Sequence, residues 1–389
     1  MRRTIFQNAR VIDGENAPRP GMAVVLEGER IASVQEGPAE ARPGDREIDL
    51  AGRTLMPGLI SCHYHSTYDD IGIQPAPFGL EKPPGYLMLL AARNLRLALD
   101  CGFTSVVSAG EISADIDPQC KQAIDDGVIE GPRLVPGGRG IDVPSGYSDA
   151  EAGVWWWRLG NLGAHRFASG PEGLREAVRE EMKHGVEIIK IFPSGGHATE
   201  LPHTGVSLTD EELFAICDTA HRRGARVRAH CPAKDGILAC LRAGVDIIDH
   251  GDEIDEECIE RMLEQGTSFV PSMYFIHRML EDTGNLAGAT YAQMAPGREP
   301  FEGIRKMLPR ANAEVQRSVS GDDYGVNILS LGRYAVELAF YFVVVGILSL
   351  DVIGWATLNC AELMGRWHEV GGFAPGLLAD LLVVAGHPA

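Results

Sequence analysis

Residues 55–65 read L-M-P-G-L-I-S-C-H-Y-H, an apolar run ending in two histidines two positions apart. Side chains alternate across a β-strand, so a strand over 55–63 sends His63 and His65 to one side and Tyr64 to the other. Outward from this run, apolar strand-like stretches alternate with helical patterns, which predicts βα units on a parallel sheet. Eight such strands are expected near 55–63, 103–108, 132–136, 186–192, 226–230, 245–249, 267–271 and 316–321. The fold class is therefore α/β, a (β/α)8 TIM barrel, whose chemistry sits at the carboxyl ends of its strands. A helix is expected over Asp210 to Arg223.

Residues 1–57 are rich in short β runs with turn signals, and A-D-L-L-V-V-A after Pro375-Gly376 has the same character. Both termini are expected to form one small β-sandwich domain, 1–57 plus 366–389, around a catalytic barrel of 58–365.

Composition narrows the partners. With 54 acidic and 35 basic residues the net charge is −19, which repels phosphate backbones and anionic lipid surfaces. Nucleic acid and membrane are thus poor partners, and a small-molecule substrate is expected. The eight cysteines show no C-x-x-C pair, which suits a reduced cytoplasmic protein. The N-terminus lacks the apolar core of a secretory signal. The longest apolar run, Leu338 to Leu350, is too short to span a bilayer, which takes about 20 residues, and reads as the end of a buried helix and a loop.

Potential ligands fall at the strand ends. V-E-I-I-K-I-F places Lys190 in an apolar strand, where an unpaired ammonium is costly. R-V-R-A-H ends in His230, D-I-I-D-H-G in His250, and S-G-D-D-Y-G offers Asp322 and Asp323. Imidazole and carboxylate together suit zinc and related divalent ions. A single strand-end histidine is more often structural, and an isolated H-x-H is a weak signal. The convergence of the whole set points to a metal site.

This ordered pattern resembles the amidohydrolase superfamily, in particular its binuclear branch with a carboxylated lysine. The resemblance spans nearly the whole chain, through A-T-L-N-C-A-E-L-M-G at 356–365 and the P-G-x-x-A-D-L-L-V-V tail. It implies that His63, His65 and Asp323 hold one divalent ion, His230 and His250 the other, with N-carboxylated Lys190 bridging two Zn2+. I-K-I-F-P-S-G-G and G-D-D-Y-G look most like prolidase-like dipeptidases, metallo-carboxypeptidases and ochratoxinase-like hydrolases of N-acyl amino acids. Asp323 aligns with the acid of the usual G-T-D pattern, and Asp322 stays open as the alternative.

The implied reaction is hydrolysis of the amide bond of a dipeptide or N-acyl amino acid by a metal-bridging hydroxide, with Asp323 as general base and acid. Apolar Ile188, Ile189, Ile191 and Phe192 favour the neutral lysine that carboxylation requires. The same chemistry also covers cyclic amides, lactones and other esters, and a non-catalytic scaffold is the reading from another class. A single metal with a structural Lys190 is the alternative site chemistry.

For substrate contacts, Arg139, His197, Arg228 and Tyr274 are candidates, each with a purely structural reading beside it. Three tryptophans within Val154 to Trp157 either wall a pocket or anchor a loop. Two departures stand out: Cys231-Pro232 replaces the A-Y that several prolidase-like relatives carry after the fifth-strand histidine, and the chain stops at G-H-P-A where relatives continue. The first weakens the dipeptidase assignment, and the second predicts a less complete small sheet. Relatives commonly self-assemble, so a homo-oligomer is implied.

Overall fold

A computed structural model describes residues 3–72, 80, 82–149, 160–196, 205–282, 298–315 and 317–388. The chain opens with five strands: β1 (Arg3–Val11), β2 (Arg19–Glu27), β3 (Arg30–Glu36), β4 (Arg46–Asp49) and β5 (Thr54–Pro57). β1 is the hub, with β2 antiparallel on one edge and β4 followed by β5 parallel on the other. Six further strands from the centre of the chain are β6 (Leu59–Tyr64), β7 (Phe103–Ser108), β8 (Arg133–Val135), β9 (Gly137–Asp142), β10 (His165–Phe167) and β11 (Ile188–Ile191). They are followed by β12 (Arg226–His230), β13 (Ile247–Asp249), β14 (Ser268–Val270) and, near the end, β15 (Leu381–Val384).

β15 returns antiparallel to β5, pairing Leu381 with Pro57 and Val384 with Thr54, so both termini build one six-stranded mixed sheet. Alternation gives this sheet two apolar faces: Val24 packs with Ala9, Val11 and Ile31, while Ala23 and Val25 pack with Ile5 and Ala39. A second sheet facing it, as a sandwich requires, is not present among the described residues. The two termini thus share one hydrogen-bonded sheet with apolar packing on both faces.

The strand expected over 55–63 is divided. Pro57 ends β5, Gly58 donates its N–H to the Asp380 carbonyl, and β6 starts at Leu59. Gly58 permits a close approach, since a Cβ there would lie 2.2 Å from Thr104 Oγ1.

β6, β7 and β8 form one parallel sheet, and β10, β9, β11, β12, β13 and β14 form a second in that order. Among the described residues no single ladder runs through all of them. Pro136 separates β8 from β9 in sequence. Of the expected eighth strand, 316–321, the described residues 317–321 make no ladder; Ser318 bridges Phe269, and Cys62 donates its N–H to the Ser320 carbonyl at 2.8 Å. The remaining predicted strands overlap observed ones.

Parallel strands covered on both faces need continuous apolar runs. Ile60, Val107, Val135, Ile188, Ile247, Val270 and Val319 meet in one buried cluster, joined by Ala361 and Leu363 of the helix Cys360–Leu363. Each such aliphatic side chain contributes about 1.5–3 kcal/mol on burial. The expected helix appears as Asp210–His221, started by a capping box between Thr209 and Glu212. The run Leu338 to Leu350 continues the helix Ala335–Phe340 through a π turn, Tyr341–Val345, that Gly346 ends at φ 86°. Phe342 and Val343 of this run are exposed, unlike the buried segment expected. All eight cysteines are free thiols, and among the described residues no helix is long and apolar enough to cross a membrane.

Gly321 brings the segment after Ser320 against β6: its φ is 145°, and a Cβ would lie 2.2 Å from the His63 nitrogen. Gly321→Ala is expected to cost about 3 kcal/mol or more in urea denaturation. Gly52→Ala, at φ 80° with nothing within 4 Å, should cost only about 1 kcal/mol.

Candidate metal centre

The strand alternation holds at β6, where the Tyr64 hydroxyl turns outward to the Asn94 carbonyl at 2.8 Å. His63 and His65 turn inward, with their Nε2 atoms 3.1 and 3.3 Å from the same oxygen, Asp323 Oδ1. The His65 Nδ1–H donates to the Gly110 carbonyl at 2.7 Å, and burial lowers the pKa of this imidazole to about 4. The ring is then neutral near pH 7, and its Nε2 lone pair faces a carboxylate oxygen. Two acceptors at this separation call for a cation between them, and two ligands of one tetrahedral zinc lie about 3.3 Å apart. A carbonyl holding the far nitrogen is the usual support for a metal-binding imidazole.

His250 follows β13 in the left-handed region at φ 70°. That conformation is unfavourable for a residue with a Cβ. The ring centroid lies 4.4 Å from that of His230 and 5.5 Å from that of His63. His63, His250 and Asp323 each present a ligand atom within 4.8 Å of the others. His250 Nδ1 is buried without a hydrogen-bond partner among the described residues, and burial holds its pKa near 4. These residues fit a divalent cation. His230, at the end of β12, is stacked on Tyr147 at 4.2 Å and lies 5.6 Å from Phe192.

Lys190 lies at the same end of the sheet, its Nζ donating to Asp249 Oδ2 at 2.6 Å. Burial lowers its pKa, against the opposing pull of Asp249. The Asp249 carboxylate also accepts Arg228 Nε at 3.0 Å and Nη2 at 2.5 Å, and its Oδ1 is 3.6 Å from His63 Nδ1. Burial alone would raise the pKa of Asp249, but Arg228 and Lys190 hold it well below the ordinary range. Sequence reasoning missed Asp249. The signal was present: an acid inside the apolar I-I-D, as unusual as the lysine in I-I-K-I.

The adjacent acids separate by position. Asp322 is fully buried and accepts the backbone N–H groups of Tyr274, Phe275 and Asp323 at 2.8–3.1 Å. It thereby caps the helix Met273–Glu281, whose preceding residue Ser272 offers no side-chain cap. Burial, with Glu337 and Asp323 nearby, raises the Asp322 carboxyl well above its usual range. Asp323 is the acid that reaches the imidazoles.

Two expected substrate contacts take internal partners instead. Arg139 gives its fork to Glu181 at 2.7 and 3.0 Å, with further bonds to Glu180 and the Asn161 carbonyl. Arg228 spends its guanidinium on Asp249 and the Ser108 carbonyl, the latter at 2.6 Å. In this structure both guanidinium groups are engaged by the protein's own oxygens, the structural role foreseen beside the substrate contact. The Tyr274 ring packs against Phe340 with centroids 5.5 Å apart. His197 and Val154 to Trp157 lie outside the described residues. Also unforeseen were Glu111, which accepts the Ser66 N–H and the Thr67 hydroxyl, and Asp117, which accepts the Ser66 hydroxyl at 2.7 Å. Together they tie down the turn after His65.

A parallel α/β scaffold with histidines and an aspartate gathered at its strand ends defines a class of metal-dependent hydrolases. Residues 54–389 match the amidohydrolase family, and the chain belongs to that family. It is a hydrolase acting on amide carbon–nitrogen bonds. The ochratoxinase of Aspergillus niger is 27% identical over 99% of this chain and 82% of its own length. The crystal structure of a Xaa-Pro dipeptidase with bound methionine matches with a TM-score of 0.89 at 26% identity, covering 99% of this chain and 94% of its own. The A. niger ochratoxinase structure matches with a TM-score of 0.84 at 27% identity, covering 100% and 90%.

Asp249→Asn leaves Lys190 and Arg228 buried without their counter-ion and is expected to cost about 3–5 kcal/mol in urea denaturation. A loss below about 1 kcal/mol would count against the ion triad. Burial raises Asp142 to about 6, although it accepts the Val143 and Ser148 N–H groups. A raised folded-state pKa gives stability that is full below about pH 4 and is lost as pH rises through about 6. The stability of the wild type relative to Asp142→Asn should therefore fall between pH 4 and pH 7, both measured without metal.

Proposed function

We propose that the protein is a binuclear metal-dependent hydrolase of dipeptides or N-acyl amino acids, built on an eight-stranded (β/α)8 barrel. Residues 58–365 form the catalytic unit in this reading, and 1–57 with 366–389 the small domain. The bridge from Ser318 to Phe269 and the bond from Cys62 to Ser320 support closure of the two parallel sheets through the eighth segment. The observation that carries the function is the approach of ligand atoms of His63 in β6, His250 just after β13 and Asp323 after the eighth segment to within 4.8 Å of one another.

In this reading His63, His65 and Asp323 would hold one ion and His230 and His250 the other, with carboxylated Lys190 as a shared ligand and zinc as the metal. Such ions would supply an activated water and polarise the scissile carbonyl. Asp323 would accept the proton of the water and return it to the leaving amine. Gly110 and Glu111 keep His65 and its turn in place throughout. Burial favours the neutral amine that Lys190 needs for carboxylation. The ochratoxinase and Xaa-Pro dipeptidase relatives support an amide substrate of this class.

A second reading, one metal with an unmodified Lys190, is favoured by the 2.6 Å bond from Lys190 to Asp249. Metal content separates the two. Lys190→Ala is expected to lose at least one of two bound metals and about a thousandfold or more in kcat/KM, some 4 kcal/mol of transition-state stabilisation. Two retained metals with full turnover would remove the bridging role. Assays of dipeptides and N-acyl amino acids beside lactones and cyclic ureides test the substrate class; exclusive turnover of cyclic substrates would overturn it.

A further inference from the structure

The N-terminal ends of β12, β13 and β14 enclose a second polar space, opposite the histidines. Arg226, Arg228 and His230 occupy alternate positions of β12 and share one face. Arg226 and His230 are four residues apart, about 13 Å along a strand. Between them the two arginines differ sharply. Arg228 bonds Asp249 and Ser108 through Nε, Nη1 and Nη2. Arg226 makes no side-chain hydrogen bond or ion pair among the described residues, although it is largely withdrawn from solvent and burial lowers its pKa.

Arg226 lines a cavity of about 120 Å³ together with Ser268, Arg317, Asn359, Asp246 and Glu362. The two acids there already have partners. Asp246 accepts His221 Nε2 at 2.8 Å and the Val227 N–H at 2.7 Å, and Glu362 pairs with Arg317 at 2.9 Å. Asn359 donates to the Ser318 carbonyl, and Arg317 also donates to the Gly266 carbonyl at 2.6 Å. The guanidinium fork of Arg226 makes no hydrogen bond here, although Asp246 and Glu187 nearby offset part of its charge, and it lines the cavity together with Ser268. A guanidinium withdrawn from water with no hydrogen-bond acceptor of its own is unfavourable, and an oxyanion accepting two of its N–H groups relieves that cost.

We propose that this cavity at the N-terminal ends of the strands is a binding site for a small tetrahedral oxyanion of the phosphate type, held by Arg226 with Ser268. The site is separate from the metal centre and does not depend on the proposed substrate. Its occupation would brace three adjacent strands from below and raise the stability of the barrel rather than its turnover.

Calorimetric titration of the metal-loaded protein with inorganic phosphate is the test. A saturable phosphate site that does not compete with turnover is expected, and Arg226→Met should weaken it at least tenfold while turnover stays within twofold. Wild-type crystals soaked in tungstate should show anomalous density between Arg226 and Ser268, which decides the matter even if the variant does not fold. Phosphate that binds only in competition with turnover, an Arg226→Met titration equal to wild type, or tungstate only among the histidines would overturn the proposal. Acetate binding more tightly than phosphate would overturn the choice of a tetrahedral ion.

Discussion

The carboxylate of Asp249 lies buried between the ammonium of Lys190 and the guanidinium of Arg228, on three neighbouring strands. Much of the site is positioned by this one contact. Its oxygens compensate two cations in a region otherwise filled with aliphatic side chains, and one of them approaches His63 Nδ1. Attraction at such short range in a poorly polarisable interior is strong, and removal of one partner leaves a charge with no solvent to receive it. With Lys190 unmodified, the triad ties β11, β12 and β13 together at the level where the ligands emerge. It also presents the lysine nitrogen at the strand ends.

Above the triad, backbone geometry sets the direction of the ligands. The left-handed turn at His250 and the close approach at Gly321 both depart from relaxed strand geometry. Each is unfavourable locally and is held by the packing around it. The result is a cluster in which imidazoles and a carboxylate face one another, a donor set that suits a cation. The Gly110 carbonyl and the Glu111 and Asp117 carboxylates secure the His65 turn from behind, so ring orientation does not depend on the metal alone.

Neighbouring residues of one type take opposite tasks according to depth. Asp322 serves the backbone N–H groups of a helix start, whereas Asp323, one residue on, serves the imidazoles. Arg228 and Arg226 divide similarly: one neutralises a buried acid, the other faces a cavity. Along β12 the same inward face thus passes from a cavity, through an ion triad, to a candidate metal ligand within five residues. Relatives that share the fold at about a quarter identity are consistent with a scaffold that keeps such layers while loops vary.

The sequence by itself determined the parallel α/β class, most strand positions, and the inward pairing of His63 with His65, because period-two alternation and apolar runs are local properties. It also marked Lys190, His230, His250 and the acidic pair after Gly321 as chemistry-bearing. The tertiary structure decided what depends on partners distant in the chain. Asp249 proved to neutralise Lys190 across 59 residues, Arg139 and Arg228 proved to be bonded internally, and Asp323 rather than Asp322 reached the imidazoles. The division of 55–63 at Pro57 and the single terminal sheet were likewise settled by cross-chain pairing with β15. Periodicity states which side of a strand a residue occupies; only the folded chain brings in the opposite charge that decides what that residue does.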